Sequence, residues 1–171
     1  QSITFLGLNT VRNLCLQHLL SEAMGSKDAG LRAEFDTLWK ASAIATELCQ
    51  QVAKRLQLPD AASMATQLVL SYVGRFAAAV MLQQRGATVE GDASHDMLQR
   101  ALVEQERLGL SSGEIGYLLM QEWGLPEAMV GETRGITRLL FSGAPAPDLA
   151  RATRQAVCAL SVGLAERIAR H

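Results

Sequence analysis

The sequence lacks most of what catalytic and metal sites are built from. Its 171 residues include only three histidines and three cysteines, and no two cysteines form a CxxC pair. Metal sites rely on clusters of these residues, and acid–base catalysis near neutral pH relies most often on histidine. Cys15, Cys49 and Cys158 are odd in number, far apart and each set in an apolar helical pattern. They are predicted to be buried free thiols in a reducing compartment, and the sequence implies no cofactor.

An excess of charge of either sign is also absent. Sixteen Lys and Arg residues stand against seventeen Asp and Glu residues, which gives a formal charge of −1. No strong field therefore attracts nucleic acid or an anionic membrane. The chain shows no signal-peptide pattern at its start, and its longest apolar stretch, 64–82, is interrupted by Gln67, Ser71 and Arg75. We expect a cytoplasmic protein that binds neither nucleic acid nor a membrane.

Aromatic and β-branched residues are scarce, and this favours helices over sheets. Aromatic residues make up 5% of the chain, Val and Ile are few, and Ala, Leu, Gln, Glu and Arg are abundant within a sequence that is 49% hydrophobic. A chain of 171 residues is long enough to bury one core without disulfides or metals. We predict a single all-α domain over residues 1–171, with six or seven helices in a globular bundle.

The helices are predicted from apolar periodicity and from start and stop signals. A long helix ends near Leu58, before Pro59, and carries one apolar stripe: Phe35, Leu38, Ser42, Ala45, Cys49, Val52 and Leu56. Asp60 is predicted to cap a second helix on which Met64, Leu68, Tyr72, Phe76 and Val80 share a stripe. Residues 84–94 are predicted to be a mobile loop, followed by a helix from about 94 to Gly109.

Three further helices follow in the second half of the chain. Ser111 or Ser112 is predicted to cap a short helix that runs to Trp123, and the WGLPE segment separates it from the next. Asp148 is predicted to cap the last helix, after a connector with two prolines at 142–148.

Four segments resemble functional motifs, but each has a plainer interpretation. His18 lies within a helical pattern, where a structural histidine is common. The segment 25–30, GSKDAG, lacks the Gly-Lys-Ser/Thr ending of a phosphate-binding loop. The segment after WGLPE offers Glu127 and apolar residues, which do not suit a DNA groove. His95 and Asp96 follow a glycine-rich stretch at a helix start, where Asp96 interacts favourably with the helix dipole and a metal pair is not expected.

Taken in order, four stretches resemble the HDOD family: LGLNTVRNL at 6–14, FDTLWKAS at 35–42, LVLSYVGR at 68–75 and GEIGYLLMQEWGLPE at 113–127. This family is a regulatory branch of the helical HD superfamily of metal-dependent phosphohydrolases. Its pattern begins upstream of residue 1, and the chain opens on apolar residues before Asn9 or Thr10. The resemblance therefore implies that a helical portion precedes this chain.

The resemblance also places the metal ligands of the superfamily on residues that cannot act as ligands. The His-Asp pair falls at Ser71 and Tyr72, and other ligand positions fall at Ala41, at Ser112, at Gly135 with Ile136, and near Ser161 or Val162. Hydroxyl and alkyl side chains cannot replace imidazole and carboxylate donors, so no metal site is expected and no water would be activated. We expect Tyr72 to fill the former site with its ring and one hydrogen bond for its hydroxyl, and Gly74 to admit a neighbouring helix.

The function implied is that of a non-catalytic bacterial signalling domain that binds a partner protein, a partner domain or a second copy of itself. An alternative is a sensor that binds a nucleotide second messenger in the vacated pocket around Ala41, Ser71 and Tyr72. A third possibility is a residual hydrolase that uses His18 or His95. Neither the partner nor the signal follows from the sequence.

Overall fold

The structure is a computed structural model that describes residues 29–86, 97–142 and 148–170. These residues form seven helices and no strand: α1 (Ala29–Arg55), α2 (Ala61–Ser71), α3 (Val73–Gln84), α4 (Met97–Leu108), α5 (Ser112–Glu122), α6 (Glu127–Ser142) and α7 (Leu149–Arg170). The predicted all-α fold is confirmed. The predictions for residues 1–28, including Cys15 and His18, and for His95 and Asp96 fall outside the described residues.

The apolar stripe of α1 is confirmed over most of its length. Phe35, Leu38, Ser42, Ala45 and Cys49 are all buried. Beyond Cys49 the buried position is Ala53, while Val52 and Leu56 are 37% and 55% exposed. The predicted stripe is therefore wrong at its end, because a straight helix with 3.6 residues per turn rotates these two positions away from the core.

Two helices replace the single helix predicted after Pro59. Tyr72 lies between α2 and α3 with φ −83° and ψ −18°, so the chain keeps its helical direction across the join. All five residues of the predicted stripe are buried. Asp60 does precede α2, but its φ is 60° and its side chain makes no capping hydrogen bond, so the predicted cap is wrong.

By length and composition, the segment 61–84 could cross a membrane. Within its most apolar window, however, 83% of the residues are buried against the rest of the fold. The apolar composition of α2 and α3 therefore serves the protein core.

The ends of the later helices match the predicted signals. Gly109 and Gly124 have φ values of +78° and +68°, which glycine adopts without strain. Ser111 forms a capping box at the start of α5, because its side chain accepts from the Glu114 amide and the Glu114 carboxylate accepts from the Ser111 amide. Asp148 caps α7 by accepting from the Arg151 amide at 2.8 Å.

Helices α1 and α7 run antiparallel and form the most extensive contact in the described structure. Glu34 near the start of α1 pairs with Arg170 at the end of α7, and Cys49 contacts Cys158 further along. The α1 residues between these points include Ala41 and Ala45, whose small side chains let the two helices approach closely. Helices α2, α3, α5 and α6 contribute to the same core.

Candidate functional site

The structure brings five of the six predicted site positions into the buried interior. Ala41, Tyr72 and Ile136 belong to one apolar core cluster, with exposed fractions of 1% or less. Ser71 and Ser112 line one small cavity beside that core. Gly135 is different: a β-carbon there would collide with the side chain of Gln155, so this position faces α7. The helices therefore place in the interior most of the positions that the family resemblance assigned to metal ligands.

Two serine hydroxyl groups at or beside these positions, those of Ser71 and Ser42, bond to carbonyl groups of their own helices. Ser71 Oγ donates to the Leu68 carbonyl at 2.6 Å, and Ser42 Oγ donates to the Trp39 carbonyl at 2.9 Å. Such bonds within one helical turn satisfy a buried serine without a partner from another element. The two serine hydroxyl groups are therefore satisfied within the buried interior.

Tyr72 fills the interior with its ring, as predicted, but its hydroxyl does not find the predicted hydrogen bond. The side chain is fully buried, and the hydroxyl has no hydrogen-bond partner among the described residues. Burial and the nearby Glu166 carboxylate raise the pKa of Tyr72. The ring lies 4.9 Å from the Arg75 guanidinium, which stabilises it by a cation–π contact.

The cavity beside Ser71 and Ser112 is too small for a nucleotide. Its volume is about 10 Å³, and its walls include Gly116, Met120 and Thr133. That volume accommodates about one water molecule. Pockets for ligands of drug size measure at least ~300 Å³. This cavity therefore gives no support to the nucleotide-sensor alternative.

Gly74 admits a neighbouring helix, as predicted. A β-carbon at this position would collide with the Ser112 carbonyl oxygen and would lie 2.7 Å from the Gly116 nitrogen. A β-carbon on Gly116 would in turn lie 3.1 Å from the α-carbon of Gly74. The two glycines allow α3 and α5 to pack with their backbones in contact, and this contact places Ser112 beside Ser71.

A buried ion pair lies directly beside Ser71 and Tyr72, two of the positions that the resemblance assigned to ligands. Arg75 Nε is 2.7 Å from Glu166 Oε1, and both side chains are less than 5% exposed. Arg75 Nη1 also donates to the Ser71 carbonyl at 2.9 Å. Burial raises the pKa of Glu166, and Arg75 opposes that shift. The pair therefore links the α2–α3 junction to α7.

This ion pair continues into a chain of charges that crosses the bundle. Arg100 on α4 lies 3.6 Å from both Glu166 and Glu34, and Arg170 binds Glu34 at 2.8 Å. The sequence analysis missed this network. Arg75 carries the one visible signal, a cation inside an apolar run, but no pattern in the sequence points from it to Glu166, 91 residues away.

Glu104 extends the buried polar region towards Ser112. It is 2% exposed, and its carboxylate accepts a hydrogen bond from the Ser112 amide at 2.7 Å. Burial raises its pKa, while the Ser112 bonds and the Arg75 charge act in the opposite direction. Arg100 and Glu104 are one turn apart, so α4 presents charged residues to the interior. Leu102 on the same helix is 65% exposed.

A pH titration of stability tests the burial of Glu104. The pKa of Glu104 in the folded chain lies above the ordinary value of 4.5. Its contribution to the free energy of unfolding is therefore fully present below pH 4.5. This contribution is lost as the pH rises through the pKa of the folded state. Glu104→Gln keeps an acceptor for the Ser112 amide but does not titrate. We expect the free energy of unfolding of the unmodified chain to fall more steeply than that of the variant as the pH rises above 4.5. Parallel curves from chemical denaturation would contradict this assignment.

The donor groups at this site do not fit a metal ion. Across residues 29–86, 97–142 and 148–170, no group of three or more His, Cys, Asp or Glu side chains is placed to hold a metal. Glu104 and Glu166 are the nearest carboxylates, but the Arg75 cation faces both of them. An additional divalent ion beside this guanidinium would be repelled in a medium of low dielectric constant.

The sequence matches the model of the HDOD domain family over residues 1–137. This match covers more than half of the chain, and the chain belongs to the HDOD domain family, within the HD-like superfamily. Searches of curated proteins and of solved structures gave no match. The matched region ends within α6, so Gln155, Cys158 and Glu166 on α7 lie beyond it.

Proposed function

We propose that this domain is a non-catalytic relay in bacterial signal transduction and acts in the cytoplasm through contact with a protein partner, a partner domain or a second copy of itself. One observation carries the proposal. Where metal-bearing relatives would present ligands, this chain buries Ala41, Ser71 and Tyr72, and a guanidinium lies beside them. A scaffold that keeps its helices without donor groups is suited to binding rather than hydrolysis.

The buried charges give a physical reason why phosphoester hydrolysis is not expected. Hydrolysis in this superfamily needs a cation that acidifies a water molecule. Arg75 places a fixed positive charge at the α2–α3 junction, but a guanidinium has no vacant coordination position for a water oxygen and cannot acidify water as a metal ion does. Its charge is matched by Glu166, so this buried carboxylate is already engaged in an ion pair.

Exposed apolar side chains support a role in protein contact. Leu160, Leu164 and Ile168 on α7 are spaced four residues apart and are 72%, 55% and 51% exposed. Residues with this spacing lie on one face of a helix. Apolar rows on a surface commonly serve protein association.

A measurement of metal content together with phosphoesterase activity tests the proposal. The purified chain is incubated with Mn²⁺, Fe²⁺ or Zn²⁺, desalted and analysed by elemental mass spectrometry, and its activity is measured with a generic phosphodiester. We expect substoichiometric metal and no hydrolysis above a matched blank. One equivalent of bound metal together with metal-dependent turnover would show that the domain is an enzyme. A His18→Ala, His95→Ala double variant then tests whether these histidines, which lie outside the described residues, are the source.

A further inference from the structure

Two cysteines from opposite ends of the described chain meet in the core. Cys49 Sγ on α1 lies 3.8 Å from Cys158 Sγ on α7, although 109 residues separate them in sequence. Both thiols are free and have exposed fractions of 0% and 1%. Cys158 Sγ also lies 3.9 Å from the Met64 carbonyl oxygen. The facing thiols are not explained by the proposed relay function.

Small residues on α1 bring the two helices close enough for a covalent link. Ala41, Ala45, Cys49 and Ala53 are spaced four residues apart and fully or almost fully buried, so they form one stripe. A disulfide requires the β-carbons to approach to about 3.5–4.5 Å and the sulfurs to about 2.05 Å. With the sulfurs already at 3.8 Å, side-chain rotation and a small shift of the helices supply the remaining approach.

We propose that Cys49 and Cys158 form a reversible, oxidation-dependent disulfide that links α1 to α7. This proposal does not depend on the proposed relay function. The link would join the region that matches the HDOD family, which ends at residue 137, to the helix that follows it. It would close a loop of more than one hundred residues and prevent α7 from separating from α1.

The reaction is balanced with a peroxide as oxidant. The Cys49 thiolate attacks one peroxide oxygen, the O–O bond breaks, and a sulfenic acid and one hydroxide form. The Cys158 thiolate then attacks the Cys49 sulfur, the S–O bond breaks, and a second hydroxide leaves. The two thiol protons convert both hydroxides to water, so two thiols are oxidised by two electrons and one peroxide is reduced.

The hydrogen bond between the thiols favours this order of attack. It lowers the pKa of Cys49, and it acts with burial to raise the pKa of Cys158. Because both sulfurs are buried, peroxide reaches them only during transient local separation of α1 and α7. Oxidation is therefore expected to be slow, and the disulfide, once formed, is sheltered from large thiol reductants.

Peptide mapping of the full chain tests the proposal. The reduced protein is treated with hydrogen peroxide under native conditions, its remaining thiols are alkylated, and it is digested with trypsin without reduction. We expect a linked pair of peptides, residues 41–54 and 155–167, to be the main disulfide product and to disappear after treatment with dithiothreitol. Hydrogen exchange of α7 amides should be slower in the oxidised protein, because the link restricts local opening.

Three single variants serve as controls. Cys49→Ala and Cys158→Ala should each abolish the linked pair, whereas Cys15→Ala should leave it unchanged. Circular dichroism on each variant establishes that the helices are retained. The proposal is overturned if the folded chain gives no 41–54 to 155–167 link, or if linkages through Cys15 predominate. It is also overturned if the link forms only in denaturant.

Discussion

The Gly74→Val variant is expected to lose about 3 kcal/mol or more of unfolding free energy, because the new side chain meets backbone and not a movable side chain. A β-carbon at residue 74 would overlap the Ser112 carbonyl oxygen and would lie 2.7 Å from the Gly116 nitrogen. Overpacking a well-filled interior costs ~1–3 kcal/mol, and it costs more when helices must separate. Urea denaturation followed by circular dichroism measures the loss.

Gly131 on α6 provides a matched control for this substitution. It is also a helical glycine, but a β-carbon there has no neighbouring atom within 4 Å. Gly131→Ala is expected to stabilise the fold by about 0.5–1 kcal/mol, because alanine favours the helix and reduces the freedom of the unfolded chain. If Gly74→Val were as stable as the unmodified chain, the close contact between α3 and α5 would be wrong.

Glu166→Ala is expected to cost about 3–5 kcal/mol, because it leaves the buried Arg75 cation without its main counter-charge. Arg75 is 5% exposed and cannot reach solvent without disrupting the α2–α3 junction. Its remaining hydrogen bond, to the Ser71 carbonyl, does not neutralise its charge. Arg100, which also lies near Glu166, keeps Glu34 as a partner. The same denaturation measurement at neutral pH checks the expected loss.

Two comparisons test whether the buried, unpaired charge of Arg75 causes this loss. In the double variant Arg75→Met, Glu166→Leu, both charges are replaced by apolar groups, and we expect most of the lost stability to return. Arg151→Ala breaks the pair with Glu132, in which Arg151 is 40% exposed, and should cost less than about 1 kcal/mol. A double variant as unstable as Glu166→Ala would show that the unpaired Arg75 charge is not the cause of the loss.

The Glu166→Ala variant bears on how the domain is assembled around α7. The family match ends at residue 137, but Glu166 beyond it supplies the counter-charge for Arg75 within the match. Two further α7 residues contact residues within the family match: Cys158 contacts Cys49, and Gln155 lies against Gly135. Helix α7 is therefore an integral part of this core, and a shortened chain that ends near residue 137 would lack the counter-charge of Arg75.

The helices could be predicted from local signals because those signals act within a few residues. Ser111 and Asp148 bind amides three residues ahead, and Gly109 and Gly124 adopt positive φ values where helices end. The stripe through Met64, Leu68 and Tyr72 was predicted because helical periodicity places these residues on one face. Asp60 was mispredicted because its backbone adopts φ 60°, which no pattern in the sequence reports.

The side-chain groups at the positions that the family resemblance assigned to ligands follow directly from residue identity. Alanine, serine and tyrosine at positions 41, 71 and 72 lack the donors of a metal site whatever their arrangement. The contacts that surround these three residues could not be predicted from the sequence. The unpaired Tyr72 hydroxyl, the Arg75–Glu166 pair and the small cavity each depend on which helices meet at that point.

Composition, periodicity and capping residues were sufficient to predict an all-α domain and the order of most of its helices, since each follows from residue types or from interactions one turn apart. The contact of α1 with α7 was decided by the fold. Cys49 and Cys158, and likewise Arg75 and Glu166, are about a hundred residues apart in sequence. Contacts over such separations leave no periodic trace in the chain, because they depend on how whole helices pack.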